Sequence, residues 1–283
     1  MMKTKNFAVL ILSHGRADNV ITYKTLREQG YTGDIYIVVD DLDEQIPIYQ
    51  KNFGEDKVII FNKLYAMSIT DTADNFNDKR AVVYARNMCH SIAKELGLEY
   101  FVELDDDYKM FNIRYNNNGK MSWKKFKNLD RVFDMIVNFL EKSNAKTVAM
   151  AQGGDYIGGV DGFLTKGLAR KAMNSFFCKT DRPFQFYGKI NEDVCAYTLL
   201  GGRGQLFFTI TNLSLEQLQT QSNSGGLTDI YLNLGTYVKS FYSVIFCPSC
   251  VKVSVMGNKF MRIHHKVKWN NCVPKILNEK WKV

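Results

Sequence analysis

The chain has 283 residues, and its 37 lysines and arginines outnumber 29 aspartates and glutamates to give a formal net charge of +8. Hydrophobic residues make up 46% and aromatic residues 13%, so the chain can bury a sizeable core and is not a mainly disordered protein. No stretch approaches the roughly 18–20 apolar residues that cross a bilayer, which excludes a transmembrane protein. Nearly all of the positive surplus lies in residues 251–283, which hold eight cations and one acid.

The first half of the chain alternates between strand and helix patterns. Its first apolar run, Phe7–Leu12, is shorter than the roughly 7–15 residues of a signal-peptide core, so we interpret it as a buried strand. Further strands are predicted at 35–39, Val58–Phe61, 100–104 and Thr147–Ala151, and helices at 17–28, 79–96 and 129–140. This order is typical of an α/β fold with a mostly parallel sheet and helices on both faces. Such sheets bind ligands beyond the carboxyl ends of their strands.

The second half is less regular but continuous with the sheet, so we predict one domain over residues 1–283. We expect a helix at 191–200, a polar loop at 220–228 and a β-hairpin at 237–255. The six dispersed cysteines are typical of a chain in a reducing cytoplasm. Cys247 and Cys250 form a lone CxxC with proline and serine between them. This pattern predicts a turn between two strands rather than a zinc site.

The most informative segment is Glu103-Leu104 followed by three aspartates. Side chains at i and i+2 of an extended chain point to the same face, so Asp105 and Asp107 should converge while Asp106 turns away. Two adjacent carboxylates repel each other unless a cation lies between them. Mg²⁺ and Mn²⁺ fit, because such ions bind one or two carboxylates together with water and phosphate oxygens. The segment therefore predicts a site for a metal ion and a diphosphate; the alternative is an acidic surface loop.

Other polar residues follow the neighbouring strands. Ser13, His14 and Arg16 come after the first strand, and Asp40 comes after the second, where an acid can hydrogen-bond a nucleobase or ribose. Arg86, on the helix before the fourth strand, can pair with a phosphate through its fork of N–H donors; the alternative is a surface arginine. No GxGxxG follows the first strand, and the chain has no GxxxxGK[ST]. Dinucleotide dehydrogenases and P-loop NTPases are therefore disfavoured.

Together these features resemble a GT-A glycosyltransferase. The segment Asn191-Glu192-Asp193 resembles the acidic helix start that follows the acceptor region in many such enzymes, and His264 or His265 resembles the C-terminal histidine that completes their metal shell. More narrowly, residues 150–280 are similar to bacteriophage glycosyltransferases associated with TET-type hydroxylases, which add sugars to hydroxymethylated pyrimidines in DNA. The narrower resemblance is carried by residues 225–229, 235–240, 248–249, 262–269 and 273–276.

The resemblance implies a donor half at 1–110 and an acceptor half with a basic tail at 111–283. The nucleotide sugar, a UDP-sugar by first choice, would be held by Ser13, His14, Arg16, Asp40, Arg86, Asp105, Asp106, Lys266 and Lys268. Mn²⁺ or Mg²⁺ would bind Asp105, Asp107 and one of the two histidines, with His265 slightly preferred because neighbours in a strand face opposite ways. Asp193 or Glu192 would be the general base if the reaction inverts configuration, and would orient the acceptor if it retains it.

The implied acceptor is DNA that carries a hydroxymethylated pyrimidine, in the host cytoplasm if the chain is of phage origin. Trp269, Lys239 and Trp123 are the expected acceptor contacts, since lysines neutralise phosphates and aromatic rings stack bases; the alternative for Trp269 is packing. One competing hypothesis is a glycosyltransferase for a polysaccharide, lipid or protein. Another is a non-catalytic nucleic-acid-binding protein whose acids are structural.

Overall fold

The computed structural model describes residues 6–73, 79–160, 167–218, 238–257 and 261–274. Its main sheet contains β1 (Phe7–Leu12), β2 (Asp34–Asp40), β3 (Val58–Phe61), β4 (Tyr100–Asp105), β5 (Tyr108–Asn117), β6 (Lys120–Lys125), β7 (Thr147–Ala151), β8 (Ser175–Lys179) and β9 (Phe207–Gln217). The helices are α1 (Ile21–Glu28), α2 (Ile46–Phe53), α3 (Lys63–Ser68), α4 (Val82–Glu95), α5 (Leu129–Ser143), α6 (Glu192–Gly202), α7 (Val238–Phe246) and α8 (Trp269–Cys272). A separate two-stranded sheet pairs β10 (Val251–Met256) with β11 (Arg262–Val267).

The nine strands follow the order β3-β2-β1-β4-β8-β7-β9-β5-β6. All run in one direction except β8 and β5, which lie antiparallel to their neighbours. Strand β1, third in this order, is a continuous apolar run with every residue buried, as expected for a strand covered on both faces. The predicted α/β fold with a mostly parallel sheet is therefore confirmed.

Helices cover both faces of this sheet and give the protein two apolar cores. One core joins Phe7, Val9 and Ile11 of β1 to residues of α1, α2 and α5. The other joins Ala8 and Leu10, with Leu12, to residues of α3, α4 and α6. The division follows from the alternation of side chains along a strand. Parallel strands β1, β2 and β4 thus end at one edge, between two helical layers.

The prediction of a β-hairpin at 237–255 is wrong in its first half. Residues Val238–Phe246 form α7, and the hairpin that the structure contains is formed by β10 and β11. The segment is rich in β-branched and aromatic residues, which favour strands. Its polar residues Ser240 and Ser243 are three apart and are both buried, which matches one face of a helix, so packing outweighs local preference. The CxxC is a turn as expected, but it joins a helix to a strand.

Two further expectations concern the described residues. The six cysteines are all free thiols, and no helix in the described ranges is long and apolar enough to cross a membrane. The predicted loop at 220–228 and the tail cations Lys259, Lys275, Lys280 and Lys282 lie outside the residues that the structure describes.

Helix α6 approaches the C-terminal helix α8 through a glycine. A Cβ atom on Gly201 would lie 2.1 Å from the carbonyl oxygen of Cys272, whereas a Cβ on the adjacent Gly202 would meet nothing closer than 3.5 Å. We predict that Gly201→Ala destabilises the protein, because the backbone clash costs about 1–3 kcal/mol and exceeds the helix-propensity gain of about 1 kcal/mol.

The matched control for this prediction is Gly202→Ala in the same helix. It should be neutral or slightly stabilising in urea unfolding followed by circular dichroism. Equal unfolding midpoints for the two variants would show that the close approach of α6 and α8 is not a constraint on the fold.

Candidate active site

The residues predicted from the strand ends meet at one edge of the sheet. Leu12 at the end of β1 is in register with Asp105 of β4 and with Val38 of β2. The segments that follow these three strands therefore lie side by side. They bring together Ser13, His14 and Arg16, then Asp40, then the three aspartates.

Asp106 fixes the loop that follows β1. Its carboxylate accepts hydrogen bonds from Ser13 Oγ at 2.6 Å and from Arg16 Nη1 at 2.9 Å. The buried Tyr49 hydroxyl lies 2.8 Å from Ser13 Oγ and accepts the Arg16 backbone N–H at 2.9 Å. Asp106 thus ties β4 to the loop after β1. Asp106 and Asp107 lie in a turn, not in the extended chain from which the divergence of Asp106 was predicted. Tyr49 was not predicted, because nothing in its local sequence marks it.

Asp40 is buried and surrounded by cationic and donor groups. His14 Nδ1 lies 3.0 Å and Lys63 Nζ 3.1 Å from one carboxylate oxygen, and the Leu42 backbone N–H donates to the other at 3.2 Å. Burial alone would raise the pKa of Asp40, but the His14 hydrogen bond and the Lys63 charge outweigh it and lower the pKa to about 2. The Asp40 hydrogen bond and charge in turn raise the pKa of His14.

This cluster combines a fixed anion with an accessible imidazole. The His14 side chain is 57% exposed, so one edge of its ring is open to a ligand. Asp43 supports the arrangement by accepting the Gly15 N–H at 2.8 Å. Lys63 and Asp43 were not predicted; the adjacent Asp40-Asp41 pair was the only local signal.

Arg86 is enclosed by protein groups at the base of the site. Its guanidinium donates to Asp105 Oδ1 at 2.8 Å and to Glu192 Oε1 at 3.2 Å, and lies 3.7 Å from Glu103 Oε2. The side chain is only 2% exposed and lies over the ring of Phe176 at 5.0 Å. The sequence suggested either a phosphate-binding arginine or a surface arginine. The structure shows a buried arginine that is bound to carboxylates.

Glu103 is an ionisable residue in the interior of β4 that sequence reasoning did not select. It is fully buried, and neither carboxylate oxygen has a hydrogen-bond partner among the described residues. Burial raises the pKa of Glu103 to about 8, although the neighbouring Arg86 lowers it. Arg86 therefore faces three carboxyl groups, two of which it binds directly.

Asp105 and Asp107 are the carboxylates available to a metal ion. The Asp105 side chain is 28% exposed, and Asp107 makes no salt bridge within the described ranges. Burial and the charges of Asp105 and Asp106 raise the pKa of Asp107 to about 7, a crowding of negative charge that a cation would relieve. Thr22 of α1 holds the backbone here, donating to the Asp105 carbonyl at 2.6 Å and accepting the Tyr108 N–H at 2.8 Å.

Asp105 and Asp107 fit a metal ion that takes most of its ligands from water and substrate rather than from the protein. Within the described residues no group of three or more histidine, cysteine, aspartate or glutamate side chains is arranged to hold a metal ion. Mg²⁺ commonly binds proteins through one or two carboxylates and completes its shell with water and substrate phosphates. Two carboxylates therefore match this mode of Mg²⁺ binding, and do not match a site in which protein side chains supply every ligand.

Glu192 and Asp193 begin α6 and differ in what they contact. Glu192 is bound to Arg86, and burial together with the Asp193 charge raises its pKa to about 7. Asp193 accepts the Val194 N–H at 2.7 Å and has no salt bridge in the described structure. Burial also raises the pKa of Asp193, while the charges of Arg86 and Lys171 lower it. Of the two predicted acids, Asp193 is the one without a bound cation.

The C-terminal hairpin reaches the site through Asn191. Its amide Nδ2 donates to the Lys239 carbonyl at 2.6 Å and lies 3.3 Å from His265 Nδ1. His265 is buried and His264 is partly exposed, so the slight preference for His265 as the inward residue agrees with the structure. Burial, then the charges of His264, Lys171 and Lys239, lower the pKa of His265 to about 3.

The remaining predicted residues lie in different surroundings. Lys266 and Lys268 are exposed. The Trp269 ring stacks on Tyr197 with 5.7 Å between centroids and 14° between planes, which packs α8 on α6. Trp123 is 53% exposed on β6, away from any ring contact in the described structure. Trp123 is thus available to a partner, whereas Trp269 contributes to packing.

A family model described as TET-Associated Glycosyltransferase matches residues 7–226. The chain belongs to this family. It is therefore a glycosyltransferase, as the resemblance implied. No curated protein matches it at a significant level.

This glycosyltransferase is also similar to several solved structures, all at low identity. One is a mannosyltransferase from Pyrobaculum calidifontis in complex with GDP-Man and Mn²⁺, with 12% identity, a TM-score of 0.48, and coverage of 87% of this chain and 74% of that one. Another is glucosyl-3-phosphoglycerate synthase from Mycobacterium tuberculosis in complex with Mg²⁺ and UDP, with 8% identity, a TM-score of 0.43, and coverage of 93% and 88%. These likenesses are too distant to place a ligand in this chain.

We predict that Arg86→Met destabilises the protein by about 3–5 kcal/mol, because it leaves buried carboxyl groups without their cation. The same substitution at the exposed Arg131 should change stability by less than about 0.5 kcal/mol. Urea unfolding at constant pH measures both variants.

A second variant separates the charge effect from lost packing. Glu103→Gln removes one buried carboxyl group, so Arg86→Met should cost less in the Glu103→Gln background than in the wild type. A cost that is unchanged in this double-mutant cycle would show that Glu103 and Arg86 do not interact.

Proposed function

We propose that this glycosyltransferase moves a sugar from a nucleotide sugar to the hydroxymethyl group of a modified pyrimidine in DNA, with Mn²⁺ or Mg²⁺. A UDP-sugar is the first donor to test. The observation that carries the proposal is the position of the Asp105–Asp107 pair. Asp105 ends β4 beside the segments that follow β1 and β2, and Arg86 joins it to Glu192, the neighbour of Asp193 at the start of α6.

The donor half is assigned to the segments that follow β1 and β2. Asp40 is held as an anion and accepts hydrogen bonds, which suits the N–H groups of a nucleobase or the hydroxyls of a ribose. His14 presents an exposed ring edge beside it. Ser13 and Arg16 contribute by keeping the loop in place through Asp106.

The diphosphate is assigned to the space beside Asp105 and Asp107. A divalent ion bound there supplies Lewis-acid stabilisation of the departing nucleoside diphosphate. Lys266 and Lys268 are assigned to the same negative charge. His264 or His265 would have to approach Asp105 and Asp107 to join them as a ligand, since the described residues show no cluster of three such side chains. Arg86 acts indirectly in this scheme, because it holds Asp105 and Glu192 in place from below.

Asp193 is assigned as the group that receives the acceptor proton. The acceptor hydroxymethyl oxygen forms a bond to the anomeric carbon of the sugar, the bond from that carbon to the diphosphate breaks, and the hydroxyl proton passes to the Asp193 carboxylate. Glu192 is less suited because it is bound to Arg86. If the sugar keeps its configuration, Asp193 orients the acceptor instead.

The acceptor assignment rests on the family and on charge. The family is described by its association with TET, and TET-type hydroxylation of a methylated pyrimidine creates the hydroxymethyl group that a sugar requires. The Lys239 carbonyl accepts the Asn191 amide at 2.6 Å, which places Lys239 beside the start of α6. Lys239 and Trp123 are therefore proposed as acceptor contacts, and Trp269 as support for them.

The first test incubates the protein with Mn²⁺, a panel of UDP-sugars and DNA that contains 5-hydroxymethylpyrimidine. We expect digested nucleosides to gain the mass of one sugar, and unmodified DNA to gain none. Transfer to a polysaccharide, lipid or protein acceptor, with no change in the nucleosides, would contradict the DNA assignment. Absence of any transfer or donor hydrolysis, with DNA binding retained, would favour a non-catalytic protein.

Asp107→Asn tests the metal assignment. We predict a loss of at least ~100-fold in transfer, because a bound metal contributes several kcal/mol of charge stabilisation. We expect little loss of stability, because Asp107 makes no salt bridge with any residue that the structure describes. Chelation of the metal should have the same effect on the wild type. The matched control is Asp56→Asn, at an exposed acid, which should retain wild-type rates.

Asp193→Asn tests the acid at the start of α6. We predict a ~10²–10⁴-fold loss of transfer to DNA, the range of general-base catalysis, with donor binding retained. Isothermal titration with UDP and Mn²⁺ checks the binding, and nucleoside mass spectrometry checks the transfer. A variant that retains full transfer would remove Asp193 from the mechanism.

A further inference from the structure

A second strongly basic segment follows directly after the three aspartates. Residues 108–128 contain six lysines or arginines and not one acid. A chain with 29 acids in 283 residues would place about two in a stretch of this length. The cations are Lys109, Arg114, Lys120, Lys124, Lys125 and Lys127. This concentration is separate from the basic tail and is unexplained by the fold.

The segment forms the last two strands of the main sheet, β5 and β6, which we call the ribbon. Because β5 also pairs with β9 from Tyr108 to Ile113, only residues 114–123 are two-stranded. β5 pairs with β6 over six residue pairs, from Asn112 with Lys125 to Asn117 with Lys120. Asn118 and Gly119 join them with positive φ angles of 50° and 81°, as in the two-residue turns that match strand twist. β6 is the last strand of the sheet, so its outer edge has no strand partner among the described residues.

The ribbon presents its charges to solvent. All five of its lysines are exposed, and none forms a salt bridge with an acid in the described residues. Arg114 differs, since it is held by Glu216 at 3.1 Å and lies over the ring of Tyr156 at 4.4 Å. Trp123 is paired with Arg114 in the register and is 53% exposed, which places an open aromatic ring among the cations.

Lysines on an edge strand also have a simpler use, because they prevent strands of two molecules from pairing. That use does not require an exposed tryptophan. The turn itself accounts for Asn118, through its positive φ, and for Asn116, whose Oδ1 accepts the Gly119 N–H at 2.8 Å. The exposed Asn117 remains, with an amide that can hydrogen-bond base edges. Cations, an open aromatic ring and an exposed amide on one ribbon are complementary to a nucleic acid.

We propose that the β5–β6 ribbon binds the DNA duplex on one side of the modified nucleotide. This inference rests on the proposed function, because it requires DNA as the acceptor. The major groove of B-DNA is wide enough for the two-stranded part of the ribbon, residues 114–123. Lys124 and Lys125, at the base of that part, are matched to the phosphates that border the groove.

The distance from the proposed metal ligands along β5 limits how many base pairs of flanking duplex the ribbon can contact. β5 begins one residue after Asp107, and a strand rises about 3.4 Å per residue. Arg114 and its partner Trp123 are therefore at most ~24 Å from the metal-binding pair, and the turn at most ~37 Å. At 3.4 Å per base pair, the ribbon spans up to ~10 base pairs of flanking duplex, in one direction only.

The test compares two double variants that lose the same charge. Lys124→Ala with Lys125→Ala removes two lysines from the ribbon, and Lys51→Ala with Lys94→Ala removes two exposed lysines from α2 and α4. Binding of a 24-base-pair duplex with one central 5-hydroxymethylcytosine is measured over a range of salt concentrations. The ribbon variant should bind this duplex at least tenfold more weakly than the wild type. The magnitude of its slope of log K against log salt concentration should be smaller by about 2. The control should match the wild type.

Duplex length gives a second readout. Shortening the flank to four base pairs on one side should weaken wild-type binding, and shortening the other side should not. The ribbon variant should be insensitive to both. Equal dependence on the two flanks, or wild-type affinity and slope in the ribbon variant, would overturn the inference. Self-association of that variant with unchanged DNA affinity would likewise overturn it and assign the lysines to protection of the edge.

Nucleoside mass spectrometry separates this inference from the proposed function. If the wild type transfers sugar to DNA and the ribbon variant binds and transfers equally well, only the ribbon inference fails. If the wild type glycosylates another acceptor and leaves DNA unchanged, the DNA assignment itself fails.

Discussion

The site depends on one buried arginine. Arg86 brings a permanent positive charge into the protein interior, where it faces Glu103, Asp105 and Glu192. An arginine suits this place because its planar fork donates in several directions and does not lose its proton. Without the cation, the end of β4 and the start of α6 would repel each other. The same contact therefore joins β4, which carries the proposed metal ligands, to the helix that carries the proposed base.

Asn191 makes the corresponding connection to the C-terminal segment. It adopts a left-handed conformation with φ of 55°, which asparagine tolerates better than most residues. From there its side chain reaches the Lys239 carbonyl and His265. The polypeptide thus places α7 and β11 against the start of α6 through one amide. Arg86 binds Glu192, and the side chain of Asn191, the residue that precedes Glu192, binds the Lys239 carbonyl, so two separate contacts fix the start of α6.

The strands that carry the site could be predicted from the sequence, whereas several of its side-chain contacts could not. β1, β3 and β7 have the predicted boundaries, because continuous apolar runs identify strands buried on both faces. Carboxylates at the end of β4 were recognisable for the same reason. Lys63 and Tyr49 were not, because their partners Asp40 and Ser13 lie more than twenty residues away. Such pairings depend on tertiary packing, which local patterns do not contain. The helix at Val238–Phe246 was missed because its β-branched and aromatic residues imitate a strand.

The net charge of +8 hides an uneven distribution, because positive charge is concentrated in two segments of the chain. The ribbon segment 108–128 carries +6 and residues 251–283 carry +7, which leaves −5 on the rest of a chain whose total is +8. A polyanion is therefore repelled by most of the body and attracted by two segments, and separated fields of this kind orient a charged partner during its approach. The acids at the strand ends are offset locally, by Arg86, Lys63 and, in the proposed function, a divalent ion. A diphosphate donor and a polyanionic acceptor can then be held by different cations, so that binding one does not neutralise the charges needed for the other.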